Sequence, residues 1–145
     1  MKRFERFAPW INRLVLVAAT LIFTMIGLRY ISNPVGAAAA TGATLNSAQA
    51  ITTTRIGFGA FPLGFAIFSL TCLISPRRLV AGVSLVTTII ATAIVVRLFS
   101  IRADGIVAES SKLFVPETII LLLSLGGLLL ESARIKQQLR QEVRQ

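Results

Sequence analysis

The residues able to do chemistry in this chain are the few charges that abut or interrupt long apolar runs. Arg55, Arg97, Asp104 and Glu117 stand out. If the apolar runs are membrane helices that alternate in direction, all four reach one face of the membrane. Ionised groups near a low-dielectric layer persist when they are paired or hydrated. Three readings of Arg97, the deepest of the four, follow from that rule. Its stem extends to the headgroups, it forms an interhelical salt bridge with Glu117 in which Arg55 is the alternative cation, or it takes part in a site that binds a ligand or handles protons.

Other chemistry has little to work with. The chain has no histidine and a single cysteine, Cys72, inside an apolar run. The commonest metal ligand and acid–base group is therefore missing, and no internal disulfide forms. No phosphate loop, nucleophile elbow or metal-ligand spacing occurs, and the glycine pairs Gly57-Phe58-Gly59 and Gly126-Gly127 fit helix packing better than nucleotide binding. We expect no metal, no cofactor and no enzyme activity; any catalysis would rest on carboxylates, arginine, Tyr30 or a borrowed cofactor.

The elements that position these charges are membrane spans. Of 145 residues, 54% are hydrophobic and 14% charged, with a mean hydropathy of +0.78, whereas soluble domains carry roughly 25% charged residues. Four spans of about 20 residues would use most of the length. The expected fold is all-α, an integral membrane antiparallel four-helix bundle with helices at about 11–31, 56–75, 79–103 and 114–133. Loops at 32–54 and 104–113 lie on one side. A basic interfacial lead, 1–10, precedes the 11–133 domain, and a basic tail, 134–145, follows it. A cleaved signal peptide is the competing reading of the first segment, but Arg29, Tyr30, Asn33 and Pro34 separate its apolar run from Ala37–Ala40.

The formal net charge of +9 would suit nucleic acid, yet its distribution points to the bilayer. Ten basic residues fall on the side of the termini and five on the other. Lys and Arg are retained in the cytoplasm during insertion, so both termini are expected inside, in a multi-pass protein.

Within the spans, Gly57, Ala60 and Gly64 fall near one helical face, a small-residue stripe suited to close helix approach. Pro62 should bend that helix or free a carbonyl. Glu117, Ser124 and Glu131 repeat every seven residues and should face other helices. Ala37–Ala40 and Leu45–Ile51 have the composition of short helices resting on the bundle. Gly105 suits a left-handed cap, and Pro116 a first helical position. The third helix has two polar-ended faces, one with Arg97 and Asp104 and one with Ser84, Thr88, Ala91 and Arg102, and its sequence leaves open which points inward.

Tyr30-Ile31-Ser32-Asn33-Pro34-Val35-Gly36, then Arg55-Ile56-Gly57-Phe58-Gly59-Ala60-Phe61-Pro62-Leu63-Gly64, then Arg97 with Asp104-Gly105, then Glu117, follow an order that resembles a bacterial domain-of-unknown-function family of small four-helix inner-membrane proteins, similar in layout to DoxX-like proteins. The resemblance covers roughly residues 10 to 133. It implies an antiparallel membrane bundle in the bacterial inner membrane, with no established activity. DoxX-like relatives are associated with quinol oxidation, so the resemblance implies a quinone or lipid as the conceivable ligand. Two functions are therefore carried forward. One is a non-enzymatic accessory or structural subunit whose partners are the bilayer and other membrane subunits or a second copy. The other is binding or transfer of a quinone, lipid or amphipathic anion in an outward-facing pocket lined by Arg55, Arg97, Asp104 and Glu117.

Overall fold

A computed structural model describes residues 8–75, 78–105 and 108–142. The basic lead up to residue 7, the centre of the Pro-Arg-Arg turn and the last three residues of the tail lie outside the described residues. Six α-helices follow in order: α1 (Ala8–Ser32), α2 (Pro34–Ala39), α3 (Ala48–Thr54), α4 (Phe61–Ile74), α5 (Leu79–Asp104) and α6 (Ala108–Glu142). A π-helical segment, Arg55–Ala60, joins α3 to α4. There is no strand among the described residues. Four stretches are long and apolar enough to cross a membrane: Pro9–Ser32, Ala48–Ile74, Leu79–Ala103 and Phe114–Ala133. The chain is thus an all-α antiparallel bundle of four membrane helices.

Inside and outside of the bundle follow helical periodicity rather than polarity. On α1, Asn12, Leu16, Ala19 and Gly27 are buried, while Leu14, Val17, Leu21, Met25 and Leu28 are exposed along the opposite stripe. A spacing of three and four residues keeps each set on one face. Exposed leucines are the expected outer surface of a helix that meets lipid on one side and protein on the other. The core lies toward the end that carries the chain termini. Val15, Leu16 and Ala19 of α1 meet Cys72 of α4 and Leu79, Val83 and Val86 of α5, with Phe23, Ile90, Ile120 and Leu128 packed around them. Cys72 is a buried packing residue, as expected.

The face of α5 left open by sequence is settled by this core. Val83 and Val86 are buried, and Arg97 continues their line, whereas Thr88 and Arg102 are exposed. The helix stops at Gly105, whose φ of 88° suits a residue without Cβ, and whose N–H donates to Ile101 O at 3.1 Å.

Three boundaries differ from the sequence reading. The second span starts at Ala48, not near residue 56, because Ser47 caps α3 by accepting from Ala50 N–H at 3.1 Å and the helix runs on without a break. The loop between the first two spans therefore shrinks to residues 33–47. It contains α2, which is capped by Asn33 and seats Pro34, Ala37 and Ala38 on the bundle. The fourth helix begins at Ala108 and passes through Pro116 instead of starting there. Pro116 lacks the N–H that would serve the carbonyl four residues earlier, a loss that water can offset at a membrane boundary.

Pro62 explains the π segment. It has no N–H to give, and the turn just before it widens so that the last bond runs from Phe61 N–H to Ile56 O, a five-residue step. This segment packs closely on α1. A Cβ at Gly27 would stand 2.9 Å from Gly59 O, and one at Gly59 would stand 2.7 Å from Ile31 Cγ1. Backbones approach this closely only where side chains are missing.

Candidate functional site

Among the described side chains of the four charges proposed to meet, Arg97 and Glu117 do. Arg97 comes from the last third of α5 and Glu117 from the first membrane turn of α6. Their side chains form a two-pronged contact, with Nη2 donating to Oε1 at 2.6 Å and Nε to Oε2 at 3.0 Å. Both planar groups thus meet edge to edge, the geometry that gives Arg–carboxylate pairs their strength. Each side chain keeps only 18% of its surface exposed. The pair ties α5 to α6 where the aliphatic core has thinned.

Arg55 does not join them. It is exposed at the start of the π segment and forms no ion pair with a described residue. The direction that the segment takes, onto α1, carries the Arg55 backbone with it. The side chain of Asp104 lies outside the described residues, and its backbone ends α5. Beside the π segment, Tyr30 and Phe58 stack with ring centroids 5.3 Å apart, and Phe23 and Phe65 meet at 5.8 Å. Aromatic contacts therefore bind the α1–α4 side of the bundle, and an ion pair binds the α5–α6 side.

The residues expected to pack helices together divide. Ser124 is fully buried, its hydroxyl donating to Leu121 O at 3.0 Å. Gly57, Ala60 and Gly64 are exposed, and a Cβ at Gly57 or Gly64 would meet nothing within 4 Å. Within this chain the close approach is made instead by Gly59, which the widened π turn brings round to α1.

Sequence reasoning missed Asn12. Its amide is 1% exposed, with neither Oδ1 nor Nδ2 hydrogen-bonded, and it occupies the space that a Cβ on Gly127 of α6 would need. The signal was present in the spacing: Asn12 stands one turn before Leu16 on the inward stripe of α1. Ser69 of α4 is likewise fully buried without a hydrogen bond. A second missed feature is an open depression of about 360 Å³ along α5, lined by Thr92, Ala93, Val96, Arg97 and Ser100. No group of three or more metal-binding side chains occurs among the described residues.

Residues 11–128, about four fifths of the chain, match the family described as a domain of unknown function, DUF4345. The chain belongs to the DUF4345 family. No curated protein and no solved structure matches it. The DUF4345 region contains both members of the ion pair, Asn12 and Gly127, and the whole π segment. The basic stretch of α6 beyond residue 133 falls outside it.

Proposed function

We propose that this DUF4345 protein is a non-enzymatic accessory or structural subunit of a membrane assembly, built to hold a stable bundle and present its outer helix faces to a neighbour. The observation that carries this reading is the Arg97–Glu117 pair. The charges best placed for intramembrane chemistry are directed at each other, in a geometry suited to locking two helices. The exposed line of Gly57, Ala60 and Gly64 supports it, since small residues on an outer face let a second helix approach closely. The occupant of that face is another subunit or a second copy of the chain.

The setting belongs to the same proposal. The ten-to-five split of basic residues favours both termini in the cytoplasm, and the resemblance in motif order to DoxX-like proteins supports a bacterial inner membrane as the setting. Purification in mild detergent, followed by mass determination of the intact particle, tests the reading. The expected result is a particle heavier than one 15.6 kDa chain plus its detergent, containing a second polypeptide or copy. A strictly monomeric particle from several mild detergents, with nothing co-purifying, would sink it.

The four-residue pocket for a quinone or lipid is the weaker arrangement. Arg55 stands apart from the Arg97–Glu117 pair.

A further inference from the structure

Two helices line a small apolar notch in the half of the bundle nearer the chain termini. Leu14, Val15 and Ala18 of α1 form one wall, and Ile120 and Leu123 of α6 form the other, around about 40 Å³ of space. Ala18 makes the notch. Its neighbours on the same stripe, Leu14 and Leu21, carry full side chains that stand exposed, and the shorter Ala18 leaves a gap between them. Val15, which is buried, closes the floor, while the exposed Leu14 and Leu123 flank an opening on the bundle surface. A space of this size and lining stays dry. It is too narrow for a ring or a headgroup, so a stretch of acyl chain is what fills it in a bilayer.

The mouth of the notch is polar. Trp10 stands one turn before Leu14, on the line that runs through Leu14 to Ala18. The Arg13 guanidinium lies over its ring, with Cζ 5.8 Å from the centroid. Trp10 is exposed at the start of the first span, the interfacial position. Arg13 is exposed too and forms no ion pair with a described residue; Glu131, one turn beyond Gly127 on α6, does not bond to it. A guanidinium laid on an aromatic face is held in place while its N–H edge stays open, and that edge matches a phosphate. α6 is bare at this level. Asn12 lies on Gly127, so the antiparallel register sets Arg13 level with Gly126, where a Cβ would meet nothing within 4 Å. From Arg13 to Ala18 is about 7–8 Å along the helix axis, so a phosphate on Arg13 places the start of its own acyl chain in the notch. Charge narrows the class of lipid. By sequence this end carries ten basic residues against Glu5, Glu131 and Glu142, which favours a headgroup of net negative charge over a zwitterion.

We propose that α1 and α6 hold one anionic phospholipid at the termini end of the bundle, its phosphate on Arg13 beside Trp10 and the first part of an acyl chain in the notch at Ala18. The site uses neither the Arg97–Glu117 pair nor the Gly57, Ala60 and Gly64 line, so it does not depend on a protein partner.

The test compares phosphatidylglycerol and phosphatidylcholine of matched acyl chains. The full-length protein is reconstituted in nanodiscs of an equal mixture and released into native mass spectrometry. One phosphatidylglycerol per chain should be retained in preference to phosphatidylcholine. Arg13→Gln should lower that retention about fivefold, the weight of one arginine at a charged lipid surface. Arg29→Gln removes an exposed arginine from the other end of the same helix and should change nothing. Ala18→Leu should lower retention by filling the notch; should it accumulate poorly, Ala18→Val should act in the same direction. Excess glycerol 3-phosphate, which has the phosphate without the chain, should not displace the lipid. Equal retention of the two lipids, equal effects of Arg13→Gln and Arg29→Gln, displacement by glycerol 3-phosphate, or full retention with the notch filled would each overturn the proposal.

Discussion

At the residue scale two contacts decide the outcome of substitution. The Arg97–Glu117 pair is four-fifths shielded on each side, so removing one member leaves the other charged in a poorly solvating place. Arg97→Ala or Glu117→Ala should therefore destabilise by about 3 kcal/mol, read as a loss of thermal stability in detergent. The double alanine variant should lose less than the sum of the two, with a coupling of at least about 1 kcal/mol. Additive losses would show that the two-pronged contact contributes nothing. The second contact is Asn12 over Gly127. Gly127→Ala places a methyl where the Asn12 amide now lies, and a clash of that kind costs about 1–3 kcal/mol. Asn12→Ala should relieve it, so the double variant should be more stable than Gly127→Ala alone. The pairing of Arg97 with Glu117 was one of the readings available from spacing, because alternating spans bring the end of the third beside the start of the fourth. Asn12 was not foreseen. A single polar residue beside Arg13 at the edge of an apolar run looks like a boundary marker until the inward stripe of α1 is known.

At the scale of elements the four spans were legible because length and composition suffice for them, and the alternation of charged ends fixed their neighbours. What composition does not encode is the phase of a helix that is apolar all round. The stripe Gly57, Ala60, Gly64 has the spacing of a packing face, yet the π segment before Pro62 rotates the chain so that Gly59 meets α1 and the stripe faces out. The two glycine sets should consequently respond differently. Gly59→Leu must displace Ile31, and Gly27→Leu must displace Leu63 and the Gly59 carbonyl, so each should lower the melting temperature of the purified protein by several degrees or prevent its accumulation. A Cβ at Gly57 or Gly64 meets no neighbour within 4 Å, so Gly57→Leu and Gly64→Leu should leave monomer stability unchanged or raise it slightly through better helix propensity. The same two variants should weaken association if that outer face receives another helix. If Gly57→Leu and Gly64→Leu destabilise the isolated chain as strongly as Gly59→Leu, the phase assigned to the second span is wrong.

At the scale of the whole molecule the bundle is asymmetric along its axis. The aliphatic core from Leu16 to Val86 fills the end near the termini, while the contacts seen toward the opposite end among the described residues are the Arg97–Glu117 pair, two ring contacts and the capped α2 helix. By sequence, basic residues follow the same gradient, ten toward the tightly packed end and five toward the other. Because retention of Lys and Arg sets orientation, the packed end should face the cytoplasm and the Arg97–Glu117 end the far side. Reporter fusions check this directly: a reporter fluorescent only in the cytoplasm should be active at either terminus, and one placed after Gly42, in the turn following α2, should be silent. Moving charge should move the protein. Replacing Arg77 and Arg78 with glutamine removes the only basic residues between the second and third spans, so it should raise the fraction of chains with an inverted central hairpin, seen as protease cleavage of that turn from outside. Unchanged topology would mean that the basic residues of the two ends alone hold the orientation, and that the hairpin follows its neighbours through packing such as Gly82 on Cys72.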